Sequence, residues 1–130
     1  MPHYTALVSL AAILLYFFLA TRVAVAHAKY GVKQPATSGH PDFERIYRVH
    51  MNTLEWMPSF LVPLWLFAIY LSDVWAAVLG LVWIAGRAWY YLGYREAPEK
   101  RFPGFFVQSS VCAVLFIGAV IGIIMRLMGH

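Results

Sequence analysis

The stretch Phe43–Pro63, FERIYRVHMNTLEWMPSFLVP, decides how the chain folds, because a polar stripe enters an otherwise membrane-grade apolar segment there. Arg45, Arg48, Asn52, Glu55 and Ser59 recur at spacings of 3, 4, 3 and 4. At about 100° per residue these positions fall within an arc of roughly 80° on an α-helix. A charge near the centre of a bilayer costs about 2.5–3.5 kcal/mol on insertion scales, so two arginines and a glutamate on one face are expected to look into a helix bundle. The stripe therefore predicts a polar pocket between helices.

Outward from that segment, the 130 residues are 62% hydrophobic and only 12% charged, with a mean hydropathy of +0.66. This composition describes an integral membrane protein, not a soluble domain. The apolar runs predict an all-α fold, a four-helix bundle forming a single domain over residues 1–130, with helices near 3–26, 42–71, 74–94 and 102–128. Runs of about twenty residues suffice to cross roughly 30 Å of hydrocarbon. The pI near 9.4 is a poor argument for a nucleic-acid partner. The single Cys112 lies inside an apolar run, which excludes an intramolecular disulfide and offers no metal-ligand spacing.

The first run is followed, not preceded, by its positive charges Arg22, Lys29 and Lys33, the reverse of a cleaved signal peptide, so it reads as a retained helix. Gly31 to Pro41 reads as a loop, with Asp42 expected to cap the next helix. Pro58 and Pro63 inside the second helix favour kinks. In the third helix Arg87, Tyr90 and Tyr94 share about 60° of one face. Gly118 and Gly122 in the fourth have the small-xxx-small spacing of close helix packing. Nine of the ten Lys and Arg residues flank the first and third loops. The positive-inside rule then places both loops, and the polar ends of helices two and three, at the cytoplasmic face, with both termini opposite.

Guanidinium groups bind carboxylates in a bidentate fork, Glu55 suits an ammonium, and Asn52 suits a peptide group. That set fits a small zwitterionic peptide. No Ser or Cys sits with a base as a nucleophile, so a catalytic site here takes its nucleophile from the substrate, and a thiol activated by a nearby arginine is the natural candidate. The competing reading is that Arg45, Arg48 and Glu55 only pair with each other and hold helices in register.

FERIYRVHMNTLEWMPSF, the segment Gly86–Arg95 (GRAWYYLGYR) and Arg101 resemble the membrane-associated proteins in eicosanoid and glutathione metabolism, the MAPEG family, and most closely its microsomal glutathione transferase and leukotriene-C synthase branch. The resemblance covers nearly the whole chain. It implies a left-handed antiparallel bundle assembled as a homotrimer, with glutathione as co-substrate between subunits near the cytoplasmic ends, a hydrophobic electrophile or lipid hydroperoxide arriving from the lipid, and no metal. Carried over by position, Arg48, Asn52, Glu55, Tyr90 and Tyr94 match glutathione contacts, and Arg101 matches the arginine that stabilises the thiolate. This chain departs from the synthase pattern in carrying His50 for a glutamine, Trp56 for a tyrosine and His27-Ala28 for an arginine pair. His27 and His50 keep donors and stay among the expected glutathione contacts. The departures point to a broader transferase or glutathione-dependent peroxidase. The alternative within the family is a non-enzymatic lipid-binding scaffold of the lipoxygenase-activating-protein type. A transporter is disfavoured, because its path would need polar residues along the midplane as well.

Overall fold

The computed structural model describes residues 1–129 as four long helices: α1 (His3–Tyr30), α2 (Pro41–Tyr70), α3 (Asp73–Glu96) and α4 (Phe102–Leu127). A single 3-10 turn, Pro98–Arg101, leads into α4. Three of the helical segments, His3–Tyr30, Pro41–Tyr70 and Pro98–Leu127, are long and apolar enough to cross a membrane. The third expected span, α3, is less apolar because it carries Arg87 and its tyrosines, but Arg87, Tyr90 and Tyr91 are buried against the other helices and do not face lipid. The chain is a membrane protein.

Local chemistry sets the helix ends. α1 runs four residues past the predicted Ala26, because charged residues beyond the hydrocarbon do not stop a helix; it stops at Gly31, whose φ of 68° is the left-handed cap glycine favours and whose N–H donates to the His27 carbonyl. At the start of α2 the expected cap is displaced by two residues: His40 Nδ1 accepts from the Asp42 N–H at 3.1 Å, Pro41 occupies the first turn, and Asp42 instead pairs with Arg45. Both internal prolines sit within an unbroken α2. Ser72 caps α3, and the Asp73 carboxylate accepts from the Tyr4 and Thr5 N–H groups at 3.1 and 2.8 Å, so the first residue of α3 caps the open first turn of α1.

The core lies between α2, α3 and α4. Phe60 stacks on Trp83 at 3.9 Å, and the Trp83 indole N–H donates to the buried Gln108 at 3.1 Å. Around them Met57, Leu64, Phe67 and Leu115 fill the interior. Leu7, Leu14 and Phe17 of α1, and Phe106, Phe116 and Ile117 of α4, stay exposed, as lipid-facing residues do. The Gly118 and Gly122 spacing has its expected use: a side chain at Gly118 would strike the Phe67 ring, and one at Gly122 would crowd Tyr70, so α4 approaches α2 there on bare backbone.

Gly104 matters more for the site. A Cβ at Gly104 would run into the Tyr90 backbone nitrogen and lie 2.7 Å from the Gly86 carbonyl oxygen, so α4 can start against α3 only with glycine. Gly104→Ala is expected to cost about 3 kcal/mol, the upper part of the range for overpacking. Thermal unfolding of the detergent-solubilised protein checks this; an unchanged melting temperature would contradict the packing.

Candidate functional site

The two basic loops meet at one end of the bundle, where Thr37, Ser38 and Pro41 line a cleft of about 450 Å³ together with Arg45, Tyr94 and Pro98. Next to it, sharing Arg48 and Tyr94, lies a cleft of about 360 Å³ lined by Arg48, Asn52, Tyr90, Tyr94, Arg101, Phe102 and Phe105. Five of the side chains expected from the sequence therefore converge on one space, drawn from α2, α3 and the turn before α4. Glu55 adjoins them through its ion pair with Arg48, whose Nη2 and Nη1 lie 3.0 and 3.4 Å from the two carboxylate oxygens.

The walls are ordered by aromatic contacts. Tyr90 and Tyr94 pack edge to face at 5.5 Å, and Phe105 lies 5.8 Å from Tyr90 and 5.7 Å from Trp56. Trp56, the residue in place of the expected tyrosine, thus supports Phe105 as part of the wall. Arg101 donates to the Pro98 carbonyl at 2.6 Å, with its guanidinium 5.4 Å from the Tyr94 ring and 4.5 Å from Phe102. The 3-10 turn and these rings hold the cation at the mouth of the cleft.

Arg87 lies behind the cleft wall, against Asn52 and Tyr90, and is not among the site residues expected from the sequence. It is fully buried, with Nη1 donating to Asn52 Oδ1 at 2.9 Å and Nη2 to Thr53 Oγ1 at 2.6 Å. Its guanidinium lies 4.6 Å from the Tyr90 ring and 5.8 Å from Trp83, and no carboxylate pairs with it among the described residues. Through these contacts it fixes the orientation of two cleft-lining side chains. The legible signal was an arginine on the same helical face as Tyr90 and Tyr94 with no acid within a turn of it.

One expectation needs correction. The stripe on α2 does not look into the interior of the chain: Arg48 and Glu55 are each about half exposed and Ser59 is exposed, because Val49, Thr53 and Phe60 occupy the inward face. His27 and His50 line neither cleft within this chain. His50 stacks on Tyr16 of α1 at 4.8 Å with both ring nitrogens covered and unpartnered. His27 packs on Phe43, and its Nδ1 lies 2.8 Å from the Val32 carbonyl oxygen, within the α1 cap.

Comparison with known proteins adds an independent line. An uncharacterized protein of Synechocystis is 48% identical over 122 residues, covering 94% of this chain and 89% of that one. Microsomal glutathione S-transferase 2 of Bos taurus is 42% identical over 107 residues, covering 82% of this chain and 73% of the relative. Leukotriene C4 synthase of Bos taurus is 32% identical over 117 residues, covering 90% and 78% respectively. The model of the MAPEG family matches residues 5–121, and with the helices and the cleft in place the chain belongs to that family.

Proposed function

We propose that the chain is a membrane glutathione transferase, with glutathione held in the cleft of Arg48, Asn52, Glu55, Tyr90 and Tyr94 and its thiol activated by Arg101. The observation that carries this reading is the convergence of two guanidinium-bearing side chains, Arg48 and Arg101, around an amide and two phenols in one cleft at the loop-bearing end, with the buried Arg87 holding the amide from behind. Such a set matches the two carboxylates and peptide groups of glutathione. The arginines favour the ionised thiol, whose free pKa is about 8.5. The thiolate attacks a carbon of a hydrophobic electrophile; the sulfur–carbon bond forms as the leaving group departs or the ring oxygen opens and takes up a proton. Glutathione-dependent reduction of a lipid hydroperoxide would use the same thiolate.

The exposed stripe argues for assembly. An ion pair left half open beside lipid is costly, and a neighbouring chain in a trimer of left-handed antiparallel bundles would cover it and close the cleft. His27 keeps Nε2 outside the chain's own hydrogen bonds and is the histidine suited to reach a neighbour's glutathione; the covered ring of His50 serves the seam between α1 and α2. The density of basic residues supports an orientation with this end on the cytoplasmic side and both termini on the other.

Titration of the detergent-solubilised protein with glutathione, followed by thiolate absorbance, tests the proposal. Binding with thiolate formation supports the enzyme, whereas no binding would favour the lipid-binding scaffold. Glu55→Gln refines the test. Glu55 already neutralises Arg48, so in one outcome it merely holds that arginine. If it also receives the glutathione ammonium, the variant binds about tenfold more weakly, the scale of one charge-assisted hydrogen bond, with unchanged melting. Weaker assembly with normal binding would assign Glu55 to structure alone.

A further inference from the structure

Sharing no lining residue with the glutathione cleft, a second cleft of about 310 Å³ opens between α1, α2 and α3. Arg22, Lys29 and Arg95 line it, with Tyr30, Tyr91 and Val25 among its walls. Two acids also border it, but both are engaged elsewhere: Asp42 pairs with Arg45, and Glu96 accepts from Lys100 at 3.1 Å. None of the three lining cations has a carboxylate partner among the described residues. The Arg22 Nε is moreover covered and without a hydrogen-bond partner.

Aromatic faces hold these cations in place. Arg22 lies over Phe18 at 5.5 Å, Lys29 over Tyr30 at 5.3 Å and Arg95 over Tyr91 at 5.4 Å. Phe18 in turn packs edge to face on Tyr91 at 6.1 Å, so the exposed apolar flank of α1 adjoins the cleft at Phe18 and runs from there toward the middle of the helix. Cations fixed on aromatic rings at the loop end, opening onto an apolar track that faces lipid, are complementary to a molecule with an anionic head and an acyl tail.

We infer that the cleft of Arg22, Lys29 and Arg95 is a binding site for an anionic phospholipid, with the phosphate among the three cations and an acyl chain along Phe18 and Val25. A free phosphate would satisfy the cations but leave the apolar track unused. A diffuse basic surface would attract anionic lipid without holding one molecule. A lipid seated here would bridge α1 to α3 at the end where these helices have no short connection of their own.

Native mass spectrometry of the detergent-solubilised protein, incubated with phosphatidylglycerol or with phosphatidylcholine of the same acyl chains, tests this. The expected result is one phosphatidylglycerol retained per chain under activation that strips phosphatidylcholine. Arg22→Gln and Arg95→Gln should each lower that retention about fivefold, the worth of one cation at an anionic leaflet. Lys33→Gln, in the exposed loop and outside the cleft, should not. Circular dichroism confirms helicity, and if one cleft variant does not fold the other decides; if neither folds, the comparison of the two lipids on the parent protein decides. Equal retention of both lipids, or unchanged retention in a folded cleft variant, overturns the site. Displacement of phosphatidylglycerol by millimolar inorganic phosphate would overturn the lipid as its occupant.

Discussion

Arg87→Met is expected to leave the protein melting no lower than the parent while glutathione conjugation falls about a hundredfold. The two halves of this result have different causes. A buried cation without a carboxylate partner carries a desolvation cost of several kcal/mol. In the parent this is offset by the bonds to Asn52 and Thr53 and by the faces of Tyr90 and Trp83. Methionine removes cost and compensation together and fills much of the volume, whereas Arg87→Ala leaves a void and should melt lower. Activity has no such cancellation. Asn52 and Tyr90 lose the group that orients them, and misplacement of about 1 Å near reacting atoms is worth about 10²-fold. Thermal unfolding and single-turnover conjugation on the same preparation check both halves. A methionine variant that melts far below the parent, but whose folded fraction turns over normally, would make Arg87 a structural residue only.

Arg101→Ala is expected to slow conjugation ten- to a hundredfold, about 1.4–2.7 kcal/mol, and to move its pH profile upward. A nearby cation favours the thiolate and lowers the thiol pKa. Removing it returns the thiol toward about 8.5, so the deficit is largest at neutral pH and shrinks as the pH rises past that value. Lys100 is the natural control, since its ammonium is engaged 3.1 Å from Glu96; Lys100→Ala should leave the profile where it is. Glutathione affinity near neutrality should change less than the rate in Arg101→Ala, because most of the lining side chains come from α2 and α3. An unchanged rate and profile would transfer the activating role to Arg48.

Much of this site was legible in the sequence because it rests on periodicity. The spacing of Arg48, Asn52 and Glu55, and of Tyr90 and Tyr94, fixes which side chains share a face whatever the rest of the bundle does. Periodicity gives relative angles only. It does not say which of two polar faces turns inward, and the structure gives the interior to Arg87 and the surface to the Arg48 and Glu55 pair. That choice depends on Phe60, Trp83 and Gln108 filling the space between helices, a matter of volume and not of pattern. Hydropathy marks where lipid ends, so it cut α1 short at Ala26, while the helix itself ends where Gly31 lets the backbone turn. The positions of His27 and His50 were invisible for a related reason: each is decided by a ring it packs on, Phe43 and Tyr16, in another helix.

The cap that Asp73 places on α1 has a consequence for biosynthesis. The groups it joins, the Tyr4 and Thr5 N–H donors and the Asp73 carboxylate, are 69 and 68 residues apart. At about 5–20 residues per second a ribosome needs roughly 3–14 s to make that interval. During this time the leading turn of α1 exists without its carboxylate cap. Only once the start of α3 has been made does the carboxylate exist to reach those N–H groups, so α1 is completed by a residue that follows α2 in the chain.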